Sequence, residues 1–169
     1  MGSEPNTVQQ LLLSKRGCFD GTAVVCRGVR TSYEEFDRVT DRIALGLQKA
    51  GIGPGRFAAV HLNRDERMVE AIFGVLKAGA AVIPMNRDMP EKRMNSLLSA
   101  CGASIVLDEK NLDELLAGIQ ELPDRNAAPA QLPLRLAGEE DPALVLATSG
   151  TTGLPKGVCQ NQRSLRFLF

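Results

Sequence analysis

The 169-residue chain has 20 basic and 20 acidic residues, a formal net charge of zero, and 44% hydrophobic residues. This is the composition of an ordinary globular domain, and without a basic excess it gives no electrostatic reason to expect nucleic acid or an anionic membrane as a partner. No apolar run approaches the roughly 18 residues of a membrane span, while four scattered cysteines and one histidine argue against a zinc site and favour a cytoplasmic, reducing setting.

The first half of the chain predicts short strands between helices that begin at capping boxes and end at glycine. The predicted helices cover 7–13, 32–51 and 63–79, and the predicted strands cover 22–26 and 57–62. Two polar residues in this half are interpreted as structural rather than catalytic. His61 is expected to be a packing residue of its strand, and Lys77 to point to solvent near the carboxyl end of its helix, where the dipole favours a cation.

The second half continues the alternation of strands and helices, so the chain predicts an α/β fold with a mainly parallel sheet and helices on both faces. Predicted strands cover 80–83, 104–107, 143–147 and 158–160. Predicted helices cover 90–102 and start at 111 and 164. A proline-rich segment at about 122–142 connects the last of the alternating units to the strand at 143.

One glycine cluster is rejected as a nucleotide site. Gly51, Gly53 and Gly55 close a helix and precede a strand, whereas a dinucleotide-binding fingerprint follows a strand and opens a helix.

The segment 148–157, TSGTTGLPKG, follows a buried strand and combines small hydroxyl residues, glycines and a lysine. Glycines let successive backbone N–H groups form a concave anion site, to which hydroxyl groups and a lysine add donors. The spacing is not that of a Walker loop, because Lys156 is followed by Gly157. From composition alone, a phosphate-binding loop and an ordinary polar surface loop are equally good interpretations of this segment.

At these residues the sequence resembles the phosphate loop of adenylate-forming (AMP-binding) enzymes, which include acyl-CoA synthetases, luciferases and peptide synthetase adenylation domains. Two upstream stretches agree in order and spacing: 31–36, TSYEEF, resembles the first core motif of peptide synthetase adenylation domains, and 76–84, LKAGAAVIP, resembles the second. The resemblance implies that 1–169 is the N-terminal portion of an adenylation domain, without the remainder of its large domain or its C-terminal domain.

The resemblance also implies the chemistry. A carboxylic acid, with an amino acid favoured, attacks the α-phosphate of ATP in the presence of Mg²⁺ and then passes to a carrier-protein or coenzyme A thiol. Catalytic residues and metal ligands are expected beyond Phe169, and no metal ligand is assigned in the chain. The residues implied to bind the ATP phosphates are Thr148, Ser149, Gly150, Thr151, Thr152, Gly153 and Lys156.

Four positions depart from the family pattern. Many relatives have Tyr where Ala147 stands and His where Gln162 stands, and Met85 with Asn86 replaces the usual Leu-Asp after Pro84. The missing histidine puts in doubt whatever contact it would make to substrate or phosphate.

Three alternatives stay open: a fragment of an acyl-CoA synthetase, a non-catalytic remnant that binds nucleotide weakly, and an unrelated nucleotide-binding α/β domain. The chain alone is expected to make no acyl-adenylate. The glycine loop is expected to be more mobile than the strand before it, and Cys159 is the cysteine to examine for reactivity. The apolar residues Leu165, Phe167, Leu168 and Phe169 are expected to be exposed or to mediate self-association.

Overall fold

The computed structural model describes residues 4–119, 122, 132–148 and 156–168, and the side chains of Thr148 and Lys156 are outside that description. The helices are α1 (Val8–Ser14), α2 (Tyr33–Lys49), α3 (Glu66–Lys77), α4 (Glu91–Cys101), α5 (Glu109–Ala117) and α6 (Gln162–Arg166). The strands are β1 (Thr22–Cys26), β2 (Val29–Ser32), β3 (Phe57–Val60), β4 (Ala81–Pro84), β5 (Ile105–Leu107), β6 (Pro142–Thr148) and β7 (Lys156–Asn161).

The main sheet has the strand order β5-β3-β4-β6-β7. The first four strands are parallel, and β7 returns antiparallel to β6. A separate two-stranded antiparallel hairpin consists of β1 and β2. The α/β class with a mainly parallel sheet is therefore confirmed.

Alternate residues of the central strands serve two cores, one on each face of the sheet. Ala58 and Val60 of β3 pack with the apolar stripes of α2, α3 and α5. Ala59 of β3 points the other way, into a smaller core with Leu97 of α4. The prediction of helices on both faces is confirmed.

Side-chain caps explain where several helices begin. Thr7 Oγ1 accepts from Gln10 N at 3.1 Å and Ser32 Oγ accepts from Glu35 N at 3.1 Å, which confirms Thr7 and Ser32 as the N-cap residues of the first two predicted helices. The box at Asn63 was wrong: α3 begins after Asp65, which makes no side-chain cap, because the Asn63 amide instead donates to Glu109 Oε1 at 3.1 Å.

The start of α5 was also placed too late. Asp108 caps this helix by accepting from Asn111 N at 2.8 Å, so the helix begins at Glu109 and Asn111 lies inside its first turn. The aspartate immediately after β5 is therefore the residue that caps this helix.

The expectation that Lys77 points to solvent was wrong. Its side chain is 3% exposed, and Nζ lies 2.9 Å from Asp37 Oδ1, 2.8 Å from Thr40 Oγ1 and 3.0 Å from Asp41 Oδ1. These three partners share one face of α2 at helical spacing, and α2 packs along α3, so the last turn of α3 meets them. Arg16 Nε completes the cluster at 2.5 Å from Asp41 Oδ2.

The apolar residues of the C-terminal segment divide into two groups. Leu165 is 4% exposed and belongs to the larger core, so its predicted exposure was wrong, because α6 turns it inward toward the helical layer. Phe167 and Leu168 are 72% and 68% exposed, as expected. Phe169 lies outside the described residues.

Part of the predicted connecting segment packs on the domain. Leu132 is buried with Leu13, Leu45 and Ile119. The side chain of Gln9 hydrogen-bonds to the residues that follow Leu132. Its amide donates to the Arg135 carbonyl at 3.1 Å and accepts from Ala137 N at 2.7 Å.

Candidate nucleotide-binding site

The carboxyl edge of the parallel sheet contains a crevice between β3 and β4. The helix after β3 lies on one face of the sheet and the helix after β4 lies on the other. Neighbouring parallel strands whose helices go to opposite faces leave an opening at their carboxyl ends, which is where open α/β sheets bind ligands. The fold thus favours this edge as the site of binding.

A cavity of about 190 Å³ occupies this crevice. Its walls come from the two segments that follow β3 and β4 and from the first turn of α3. The lining residues are Leu62, Arg64, Met68, Pro84, Met85, Asn86 and Arg87. Neither Arg64 nor Arg87 was among the candidate site residues selected from the sequence. Their positions directly after two parallel strands are the signal that could have identified them.

A polar network fixes one side of the crevice. The Arg87 guanidinium donates to Glu109 Oε1, which also accepts from Asn63 Nδ2 at 3.1 Å. This pairing lowers the pKa of the Glu109 carboxyl and raises the pKa of Arg87, so both stay charged. His61 Nε2 lies 3.4 Å from the Arg87 carbonyl oxygen, and no carboxylate partner appears for it in the described part of the chain.

The glycine loop leaves the sheet at the same edge. Thr148 ends β6 and pairs with Lys156, the first residue of β7, so residues 149–155 connect the two strands beyond the carboxyl end of β6. The predicted phosphate ligands Ser149, Gly150, Thr151, Thr152 and Gly153 lie outside the described residues, as does the predicted mobility of the loop. For Thr148 and Lys156 only the backbone pairing is described.

Gly157 has a packing role that the motif did not suggest. A Cβ at this position would lie 3.0 Å from Val145 Cγ1 and 3.5 Å from Cys101 Sγ. The glycine therefore lets β7 lie close to α4 where the strand leaves the loop. Cys159, two residues further on, is exposed, but partial desolvation raises the pKa of its thiol, which disfavours the nucleophilic thiolate.

Gln162, which replaces the family's histidine, lies at the opposite edge of the sheet. It follows Asn161, which pairs with Pro142 at the start of β6, whereas the glycine loop follows the end of β6. Its side chain is fully buried, and its Oε1 accepts from Gln9 N at 3.2 Å. Roughly six strand residues, about 20 Å, separate this position from the loop. In this chain Gln162 serves packing between α1 and α6.

Comparison with known proteins identifies the family. The model of the AMP-binding enzyme family matches residues 14–168, nearly the whole chain. The chain belongs to the AMP-binding enzyme family. Surfactin synthase subunit 3 of Bacillus subtilis is 37% identical to this AMP-binding chain over 149 residues, and tyrocidine synthase 3 of Brevibacillus parabrevis is 36% identical over 148 residues. Each of these alignments covers 82% of the chain, but the chain spans only 12% and 2% of the two relatives.

Solved structures show the same fold. The N-terminal subdomain of Klebsiella oxytoca NpsA, in complex with 3-hydroxyanthranilyl-AMSN, superimposes with a TM-score of 0.76 over 94% of this chain and 41% of that one, at 24% identity. The nonribosomal peptide synthetase FmoA3, in its α-methyl-L-serine-AMP bound form, gives a TM-score of 0.74 at 30% identity, covering 98% of this chain and 20% of that one. The AMP-binding chain therefore corresponds to a part of a nonribosomal peptide synthetase-type adenylation domain.

Two features concern the described residues alone. Within them, no group of three or more His, Cys, Asp or Glu side chains is arranged to hold a metal ion. Across the same part of the chain, no helix is both long and apolar enough to cross a membrane.

Proposed function

We propose that this chain supplies the loop that binds the ATP phosphates in an adenylation site that activates an amino acid. In the reaction, a carboxylate oxygen attacks the α-phosphorus of ATP, forming an acyl-adenylate and releasing pyrophosphate. The observation that supports this most is topological: the glycine loop leaves β6 at the carboxyl edge, beside the crevice between β3 and β4. Two parts of one ligand site would then meet at this edge.

The loop's own groups suit this role. Backbone N–H groups around Gly150 and Gly153, with the hydroxyls of Ser149, Thr151 and Thr152, would donate to phosphate oxygens, and Lys156 would add a positive charge. Because charge grows on the phosphoryl oxygens as the carboxylate attacks, prearranged donors would favour the transition state. Thr148 would anchor the loop to β6.

Mg²⁺ would share the phosphate charge in this reaction. The segment 148–157 has no Asp or Glu, so no carboxylate ligand for the ion is assigned there. The acceptor of the acyl group is proposed to be a carrier-protein thiol, because the sequence resembles peptide synthetase adenylation domains and FmoA3, at 30% identity, is a nonribosomal peptide synthetase. A coenzyme A acceptor is the alternative, and a cytoplasmic setting remains a prediction from cysteine usage.

A titration with ATP tests the phosphate grip, and pyrophosphate–ATP exchange tests catalysis separately. Wild type should bind ATP, while Lys156→Ala should bind it about 10- to 150-fold more weakly, the equivalent of one charge-assisted hydrogen bond of 1.5–3 kcal/mol. Lys92→Ala, at an exposed lysine of α4, is the matched control and should leave binding unchanged. Equal affinity of all three proteins would refute the assignment of Lys156.

A second candidate, a chain that binds nucleotide without catalysis, gives a different pattern. Binding sensitive to Lys156 but no exchange with any amino acid would support it. Exchange above background that Lys156→Ala removes would show a working adenylation site in the 169-residue chain.

A further inference from the structure

A second cavity, of about 350 Å³, lies between α1, α2 and α3. Four of the chain's seven aromatic residues surround it: Phe19, Tyr33, Phe36 and Phe73. Two ring pairs form part of the wall, Phe19 with Tyr33 at 5.2 Å between centroids and Phe36 with Phe73 at 5.3 Å. The volume is within the range of about 300–1,000 Å³ of small-molecule pockets, which are commonly lined by aromatic side chains.

The polar groups at the floor of this cavity are already satisfied. Lys77 Nζ has three hydrogen-bond acceptors, at Asp37, Thr40 and Asp41, and an ammonium group has three protons. The second oxygen of Asp37 accepts from Gly17 N at 3.0 Å. The floor therefore leaves no free donor for a ligand, and the inner end of a bound molecule would be apolar. Ring edges and faces favour contact with another ring.

The rim of the cavity carries a cation. Lys15 follows α1, its side chain is exposed, and it lines the opening. It takes part in none of the ion pairs found among the described residues. A ligand that places its ring inside and an anionic group at the opening would match this distribution of charge.

The cavity is separate from the nucleotide site. Because α3 follows the parallel strand β3, the helix starts at the carboxyl edge of the sheet and ends at the amino edge. Phe73 and Lys77 belong to the last turns of α3. The glycine loop follows the carboxyl end of β6, so the two sites lie at opposite edges of the sheet.

We propose that this cavity is a second binding site, for a planar aromatic anion. The ring lies among Phe19, Tyr33, Phe36 and Phe73, and the anionic group pairs with Lys15 at the rim. The site is independent of adenylation and does not rest on the function proposed above.

Two fluorescent probes that differ in charge test the proposal on the full chain. The first is 8-anilinonaphthalene-1-sulfonate, and the second is N-phenyl-1-naphthylamine, the same ring system without the sulfonate. Because the chain has one tyrosine and no tryptophan, tyrosine emission comes from Tyr33 alone and reports on the cavity wall directly. Wild type should bind both probes with a saturating loss of Tyr33 emission.

Two variants separate the ring pocket from the charge at its rim. Leu11→Phe places a larger side chain at the cavity wall and should weaken both probes about tenfold or more, or 1.4 kcal/mol. Lys15→Gln should weaken the sulfonate about 3- to 5-fold, as expected for an exposed ion pair, and leave the neutral probe within about twofold. Lys92→Gln is the matched control, and circular dichroism melts confirm that each variant is folded.

Several results would overturn the proposal. One is unchanged binding of both probes to folded Leu11→Phe, with no change in Tyr33 emission, which would place them on another surface such as exposed Phe167. The proposal would also be overturned if either probe failed to bind wild type. It would be overturned as well if Lys15→Gln weakened the binding of both probes equally. Sedimentation could instead show a dimer that does not bind the probes and that Phe167→Ser abolishes. The occupant of the cavity would then be a second copy of the chain.

Discussion

Lys77 Nζ lies 3.0 Å from Asp41 Oδ1, and the two side chains are 3% and 1% exposed. A lysine of the second core motif thus forms a buried ion pair with α2 rather than a surface charge. Arg16 reaches the other oxygen of the same carboxylate, so one aspartate joins α3 to the segment after α1.

Replacing this lysine should be strongly destabilising. Lys77→Met keeps much of the side-chain volume but leaves Asp37 and Asp41 without their shared cation. We expect a loss of about 3–5 kcal/mol in the free energy of unfolding, the usual effect of breaking a buried ion pair from one side. Urea denaturation measures it, with Lys49→Met at an exposed position of α2 as the control. A loss below about 1 kcal/mol would mean that the cluster is solvated.

Glu70 should make stability depend on pH near neutrality. Its pKa is raised from 4.5 to about 7, mainly by desolvation and to a smaller extent by the nearby carboxylates of Glu66 and Glu35. A raised folded-state pKa gives stability that is full below pH 4.5 and is lost as pH rises through 7. Since the group is only half-buried, solvent screening reduces the effect, and Glu70→Gln should be more stable than wild type by about 1 kcal/mol at pH 8.

The control for this comparison is Glu114→Gln, at a carboxylate that is 65% exposed. Thermal melts at pH 4 and pH 8 should show the gain for Glu70→Gln at the higher pH only. An equal gain in thermal stability at pH 4 and pH 8 would indicate that Glu70→Gln acts through packing rather than through titration.

Gly79 should tolerate alanine less well than Gly102, although both have positive φ, at 77° and 63°. Both alanine variants incur the left-handed backbone cost of about 1–2 kcal/mol. At Gly79 the new Cβ would also lie 2.9 Å from Gln9 Nε2, whereas at Gly102 the space is open. Displacing the buried Gln9 amide should add about 1–3 kcal/mol.

A double-mutant cycle isolates that additional term. In a Gln9→Ala background, Gly79→Ala should cost no more than Gly102→Ala in urea denaturation. A persistent difference between the two glycines would show that Gln9 is not its cause.

The main sheet and its helices were predictable because their signals are local. Short apolar runs predicted its strands, and hydroxyl caps such as Thr7 and Ser32 predicted helix starts that the structure confirms. Lys77 and Leu165 were misjudged because their burial depends on which helix packs against them. For Lys77 a sequence signal did exist in the spacing of Asp37, Thr40 and Asp41, but its meaning required the pairing of α2 with α3.

The candidate sites follow the same division. The position of the glycine loop after a parallel strand follows from local pattern, whereas the crevice residues Arg64 and Arg87 belong to segments far apart in sequence. The aromatic cavity joins three helices and the loop after α1, so no local pattern indicated it. The phosphate contacts of Ser149 to Lys156 remain predictions.

The central claim is that the glycine loop binds nucleotide phosphates, and isothermal titration of the chain with ATP, with and without Mg²⁺, tests it most directly. We predict saturable binding by wild type and by Lys92→Ala, and binding about 10- to 150-fold weaker by Lys156→Ala. No binding by wild type at millimolar ATP, or binding that Lys156→Ala leaves unchanged, would contradict the account.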